Sequence, residues 1–174
     1  MRVFARVAGI CLFAGLTLVP GAHAQNVRTI FFVRHADKVS DETDALLSEA
    51  GHRRAECLAN MLADAHIQRI YTSDLQRTQQ TAAPLAEKLQ LKPVAIPLST
   101  PDKLIEAVRS DKTENILVVW HDATLPQILR ALGAPEITPI AHTEYDRFFI
   151  LTIVANSKNS KPKFSALKYC VCAK

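Results

Sequence analysis

Two stretches of this sequence end on the same kind of side chain. Thr29 to Val33 is an apolar, β-favouring run that stops on Arg34-His35, and Asn115 to Trp120 is a second such run that stops on His121-Asp122. An apolar run that ends this abruptly reads as a buried strand handing a charged or titratable pair to a loop. A third segment, Thr72 to Thr78, reads as a strand-to-helix turn and carries Arg77 in the first helical turn. A cation there opposes the helix dipole, and an anion bound nearby removes the conflict; the alternative is a solvated surface arginine. In a parallel sheet these strand ends share one edge, so the groups converge. Two imidazoles and two guanidiniums around one point suit a tetrahedral dianion, and phosphate is the obvious one. One imidazole then serves as nucleophile, and the other, with the arginines, holds the charge on the equatorial oxygens. Taken alone, Arg34-His35 reads equally well as the polar end of a strand.

The elements that must position these groups follow in a regular order. A polar loop, Asp37 to Asp44, leads to Ser48 as the cap of a helix reaching about Ala65, with Ala55, Leu58, Leu62 and Ala65 on its inner face. Gly51 is a weak choice for that helix's first turn. Ile67 to Tyr71 reads as the second strand, and Thr72 or Ser73 as the cap of a helix to about Gln90. Val94 to Ile96 is short and bounded by Pro93 and Pro97, as an edge strand would be. Pro101 opens a helix to about Ser110. Thr124 or Asp122 caps the helix after His121, which Gly133 and Pro135 stop near Leu132. Arg147 to Val154 and Lys163 to Cys172 read as a terminal hairpin across the polar connector Asn156 to Ser160. Alternating strands and helices followed by two strands argue for a three-layer α/β/α sandwich, its central sheet mostly parallel with antiparallel C-terminal strands.

The chain of 174 residues, 48% hydrophobic and without repeats or low-complexity tracts, is long enough for one buried core and short for two domains. Its start reads as an export signal: Arg2 and Arg6, an apolar run from Val7 to Val19, a break at Pro20-Gly21, and a small-x-small site at Ala22-His23-Ala24. Cleavage before Gln25 leaves residues 25–174 as one catalytic domain, periplasmic or secreted. It also removes two cations from a formal charge of +4, and the remaining bias is too small and too scattered to point to nucleic acid. Of the cysteines left, Cys57, Cys170 and Cys172, an oxidising compartment allows one disulfide, such as one from the 170/172 pair to Cys57; small buried thiols are the alternative. Their spacing carries no metal-site pattern.

Phe32-Val33-Arg34-His35-Ala36 resembles the Arg-His-Gly signature of the histidine phosphatase superfamily, the phosphoglycerate mutase-like or acid phosphatase-like fold. The resemblance continues through Leu47-Ser48-Glu49-Ala50-Gly51, through Ile70 to Ala82 around Arg77, through Val118 to Asp122, and through Glu144-Tyr145-Asp146-Arg147-Phe148. It implies that His35 is the phosphorylated nucleophile, that Arg34 and Arg77 clamp the phosphoryl oxygens, and that His121 is the second histidine. It implies a phosphomonoester substrate and a phosphatase without metal or organic cofactor. A short domain with no long insertion leaves the expected site open to a small ester, a glycan phosphate or a phosphoprotein, and the leader reading leaves no membrane anchor after cleavage. Two departures stand out. Ala36 occupies the usual glycine position, where a positive φ would be uncomfortable. The glutamate that serves the mutase-like branch as general acid has no counterpart in Pro97 to Asp102. His121-Asp122 instead resembles the His-Asp pattern of the acid phosphatase branch, which makes Asp122 the expected proton donor, with Asp102 and Glu144 in reserve; capping of the following helix is the competing role for Asp122. A non-catalytic phospholigand-binding protein and a phosphomutase are the rival functions.

Overall fold

The computed structural model describes residues 27–154 and 161–171. The expected export signal, Cys172 and the connector Asn156 to Ser160 lie outside the described residues. The elements run β1 (Val27–Arg34), α1 (Glu49–Met61), β2 (Arg69–Ser73), α2 (Gln76–Lys88), β3 (Val94–Ile96), α3 (Pro101–Ser110), β4 (Asn115–Trp120), α4 (Leu125–Ala131), β5 (Arg147–Val154) and β6 (Lys163–Lys168). The six strands form one sheet in the order β3-β2-β4-β1-β5-β6. β3, β2, β4 and β1 are mutually parallel, and β5 and β6 are added antiparallel. Two antiparallel strands beyond a parallel four are the expected sandwich.

Strand alternation divides the core between two faces. Ile30 and Phe32 of β1, with Ile116, Val118 and Trp120 of β4, pack against Leu104 and Val108 of α3 and Leu125, Ile128 and Leu129 of α4. Val33, Leu117 and Val119 face the other way, onto Leu58 and Leu62 at the end of α1 and Ala82, Leu85 and Ala86 of α2. Burial on both faces explains why β1 and β4 are nearly continuous apolar runs.

Three local details differ from the sequence expectation. α2 starts at Gln76, and neither Thr72 nor Ser73 caps it; its first N–H is capped from a distance, with Gln76 donating to Asp44 Oδ1 at 2.7 Å. β6 stops at Lys168, and Cys170 has φ 48°, so Cys170 does not continue a final strand. Instead Cys170 is bonded to Cys57 of α1 across 113 residues, with the Cα atoms 6.1 Å apart. Closing a loop of that size removes about 4–5 kcal/mol of unfolded-state entropy on the chain-entropy account. Ala36 is absent from the positive-φ residues and is fully buried, so alanine is accommodated without backbone strain.

Gly51 has a geometric reason. A Cβ built there would lie 2.1 Å from the carbonyl oxygen of Asp37. That carbonyl accepts from the backbone N–H of Ser48 at 2.9 Å and from its hydroxyl at 3.2 Å, so the start of α1 is drawn tightly onto the loop after His35. Helix propensity alone predicts that Gly51→Ala stabilises by up to about 1 kcal/mol. The close approach predicts the opposite sign: a loss of about 1–3 kcal/mol in denaturant unfolding. A net gain would show that the approach is slack.

Candidate active site

Register brings the two histidines together. β1 pairs β4 with Arg34 beside Trp120, and the ladder continues one step further as His35 N–H donates to the Trp120 carbonyl at 2.9 Å. His35 and His121 therefore leave adjacent strands at the same level, with ring centroids 5.3 Å apart. β2 ends on their other side, where Ser73 Oγ lies 2.8 Å from His121 Nε2. Arg77, in the first turn of α2, places Nη2 3.2 Å from His121 Nδ1, and its Nη1 donates to the Thr43 carbonyl.

Arg34 is fully buried. Its Nη1 donates to the carbonyls of Ala141, His142 and Glu144 at 3.0, 2.9 and 3.1 Å. Its guanidinium lies 4.1 Å over the ring of Tyr145, and Nη2 is 3.2 Å from Asp122 Oδ2. The loop from Ala141 to Tyr145 is thus wrapped around this one cation. Among the described residues, Nε of Arg34 and Nε of Arg77 are buried without a partner, and Nη2 of Arg34 has no contact beyond its ion pair with Asp122. Nε and Nη2 form the side-on edge of a guanidinium, the edge that binds an oxyanion through two parallel bonds. A buried donor left unmade costs about 1–3 kcal/mol, so the two Nε–H groups favour an anion in the site.

The tautomer of His35 follows from its partner. Nδ1 lies 2.8 Å from the Ala36 carbonyl, which only accepts, so Nδ1 carries the hydrogen and Nε2 holds the free lone pair. Burial is the main reason that both His35 and His121 have their pKa values lowered from 6.5 to about 3, with the neighbouring arginine charges adding to it. At neutral pH both imidazoles are unprotonated, the state a nucleophile needs. The Ala36 N–H donates to Thr81 Oγ1 at 2.8 Å, and Thr81 in turn donates to the Arg77 carbonyl at 2.7 Å, tying the nucleophile's loop to α2.

Asp122 joins the same cluster. Burial pushes its carboxyl up, but the hydrogen bond from His142, the charge of Arg34 and the Ala123 N–H outweigh it, and the net shift is downward. Asp122 is ionised at neutral pH and in this state has no proton of its own to give. Nor does a side chain cap α4: the Thr124 hydroxyl accepts from the Trp120 indole N–H at 3.0 Å instead. Of the reserve acids, Glu144 contributes its carbonyl to Arg34 while its carboxylate faces Arg147 and Lys168, both at 3.5 Å. Asp102 is exposed on α3, with no hydrogen bond or ion pair to the cluster. Sequence reasoning singled out Arg34, His35, Arg77, His121 and Asp122, and the fold brings all five together. It passed over His142, whose Nδ1 is 2.7 Å from Asp122 Oδ2, and treated Ser73 only as a helix cap. Among the described residues, no group of three or more His, Cys, Asp or Glu is arranged to hold a metal ion.

Residues 30–107 match the family model of the histidine phosphatase superfamily (branch 1). Over 75 residues the chain is 36% identical to the probable phosphoglycerate mutase GpmB of Yersinia enterocolitica. That match takes in 39% of this chain and 35% of the relative, so the chain spans about a third of the curated relative's length. Among solved structures, a mycobacterial glucosyl-3-phosphoglycerate phosphatase aligns over 82% of this chain and 98% of its own, with TM-score 0.63 and 15% identity. A phosphoglycerate mutase from Bacillus anthracis aligns over 82% and 93%, with TM-score 0.58 and 16% identity. At these identities the likeness shows the shared fold.

The buried imidazoles fix a pH dependence. Unfolded, each histidine takes up a proton near pH 6.5; folded, it does so only near 3. Between those values the unfolded chain holds more protons, so stability is full above about pH 6.5 and is lost as pH falls, by up to about 1.4 kcal/mol per pH unit for each histidine. In urea unfolding between pH 6.5 and 4, the wild type is expected to lose stability more steeply than a His35→Asn/His121→Asn variant. Equal slopes would mean that the two rings are not held neutral by the fold.

Proposed function

Given a chain that has the histidine phosphatase fold and carries that superfamily's motif over residues 30–107, we propose that it is a phosphomonoester hydrolase working through a phosphohistidine. The observation that carries this reading is the pair of buried Nε–H groups on Arg34 and Arg77 without a partner, beside Arg34 Nη2 and an imidazole whose Nε2 is free. A phosphoryl group is the ligand that uses both. Its oxygens take the side-on edge of Arg34 and the Arg77 N–H, and its phosphorus faces His35.

His35 Nε2 attacks phosphorus in line while the Nδ1–H to the Ala36 carbonyl holds the ring and accommodates the positive charge that develops on it. Arg34, Arg77 and His121 stabilise the equatorial oxygens through the transition state. His121 accepts from Arg77 at Nδ1 and meets Ser73 at Nε2; as Arg77 Nη2 turns from Nδ1 to the phosphate, the ring proton moves from Nε2 to Nδ1, the Ser73 hydroxyl donates to Nε2, and His121 becomes a donor toward phosphate. Asp122 stands as the carboxylate of the site. Water then cleaves the phosphohistidine and regenerates His35.

The substrate is proposed to lie outside the cytosol, in a periplasm or the extracellular space. The leader-like start of the sequence and the Cys57–Cys170 disulfide support that placement. With a phosphomonoester panel, the protein is expected to release inorganic phosphate, and His35→Ala to lower that release at least about a thousandfold while unfolding at the same denaturant concentration. Substantial release by a well-folded His35→Ala protein would remove His35 from the nucleophile role. Phosphate that is moved to another hydroxyl rather than released would make the protein a mutase.

A further inference from the structure

One imidazole beside the cluster is not buried. His142 lies on the loop that wraps Arg34, and its own carbonyl accepts from Arg34 Nη1 at 2.9 Å. Its side chain is 75% exposed, yet its Nδ1 is fixed at 2.7 Å from Asp122 Oδ2. The ring is therefore held by a carboxylate on one nitrogen and presents the other outward. His142 and Asp122 also form one wall of a hollow of about 480 Å³ that Ala123, Pro126, Pro139 and Ile140 complete. That hollow is mostly apolar, and Asp122, its link to the cluster, lies 3.2 Å from Arg34 Nη2.

The reaction proposed above lacks one part. An alkoxide leaving phosphorus needs a proton, and a positioned acid contributes about 10²–10⁴-fold. Asp122 is ionised and salt-bridged to Arg34. Imidazole is a common general acid and base, and a carboxylate on Nδ1 orients the ring and leaves Nε2 for the reacting group, the division of labour of an Asp-His pair. We propose that His142 is the proton donor to the leaving alcohol, that Asp122 is its positioning residue, and that the alcohol lies in the hollow beside them. This rests on the phosphatase reading.

The step balances. His35 Nε2 forms a bond to phosphorus as the ester P–O bond breaks; the bond pair goes to the leaving oxygen, which takes the proton from His142 Nε2. In the second half a water oxygen bonds to phosphorus, its proton returns to His142 Nε2, and the P–N pair returns to His35. The apolar wall of the hollow favours esters of apolar alcohols over esters of polyols.

The test compares n-butyl phosphate, whose alkoxide needs a proton, with p-nitrophenyl phosphate, whose phenolate does not. His142→Gln is expected to lower kcat on the butyl ester about a hundredfold and to cost less than tenfold on the aryl ester. Asp122→Asn is expected to lower kcat on the butyl ester more than on the aryl ester, a split that a merely structural role would not produce. Added imidazole should restore butyl-ester turnover to His142→Ala. Equal losses on the two esters or no rescue by imidazole would overturn the assignment. If the wild type turns over neither ester nor any other phosphomonoester, the phosphatase reading itself falls; if it turns over both and His142 is dispensable, only this proposal does.

Discussion

A buried guanidinium organises the site. Arg34 is fully enclosed, and a charge in that position persists only with partners around it. Three carbonyls hold its Nη1, the Tyr145 ring covers its face, and Asp122 supplies the opposite charge. These contacts fix the Ala141–Tyr145 loop to the end of β1, so the loop's path is set by the cation. They also leave Nε of Arg34 without a partner, next to an Nη2 whose contact is the ion pair with Asp122. The fold thus carries the cost of desolvating Arg34, and an oxyanion finds the Nε side of the guanidinium already placed, which is preorganisation in its electrostatic form.

Around that cation the core positions the two histidines. The β1–β4 register places His35 and His121 side by side, and β2 brings Ser73 against His121. On the other face, Asp37, two residues beyond His35, accepts from Arg54 Nε at 2.7 Å, and Arg54 also donates to the carbonyl of Cys170 at 3.1 Å. The disulfide from Cys170 to Cys57 closes this bracket on α1. The loop that carries the nucleophile is therefore tied to the helix layer by a carboxylate, a buried arginine and a covalent bond, with Gly51 making room for the approach.

Much of this was legible in the sequence because it is local. The strands announce themselves as apolar runs between turn signals, and β3, β4 and β5 begin and end where those runs do. Ser48 caps α1 as its residue type suggests, and the strand-end histidines converge because parallel strands share an edge. What escaped was non-local. The cap of α2 is Asp44, more than thirty residues upstream, and no pattern around Thr72 and Ser73 reveals it. Cys170 looks like a strand residue by alternation, but a left-handed backbone and the bond to Cys57 take it off the strand. His142 sits in a proline-flanked loop without periodicity, and only the Arg34 contacts put it beside Asp122. The same contacts hold Asp122 as a carboxylate, which its place after His121 in the sequence does not disclose.

The chemical claim at the centre is that the free Nε2 of His35 becomes bonded to phosphorus while Arg34 and Arg77 hold the oxygens. The most direct measurement is to quench the protein during turnover of a phosphomonoester and locate the phosphoryl group by peptide mass spectrometry under alkaline conditions, where phosphohistidine survives. A phosphoryl group on the peptide that contains His35, lost on acid treatment and absent from His35→Asn, is the predicted result. Turnover with the phosphoryl group on His121, on His142, or on no residue at all would contradict the account.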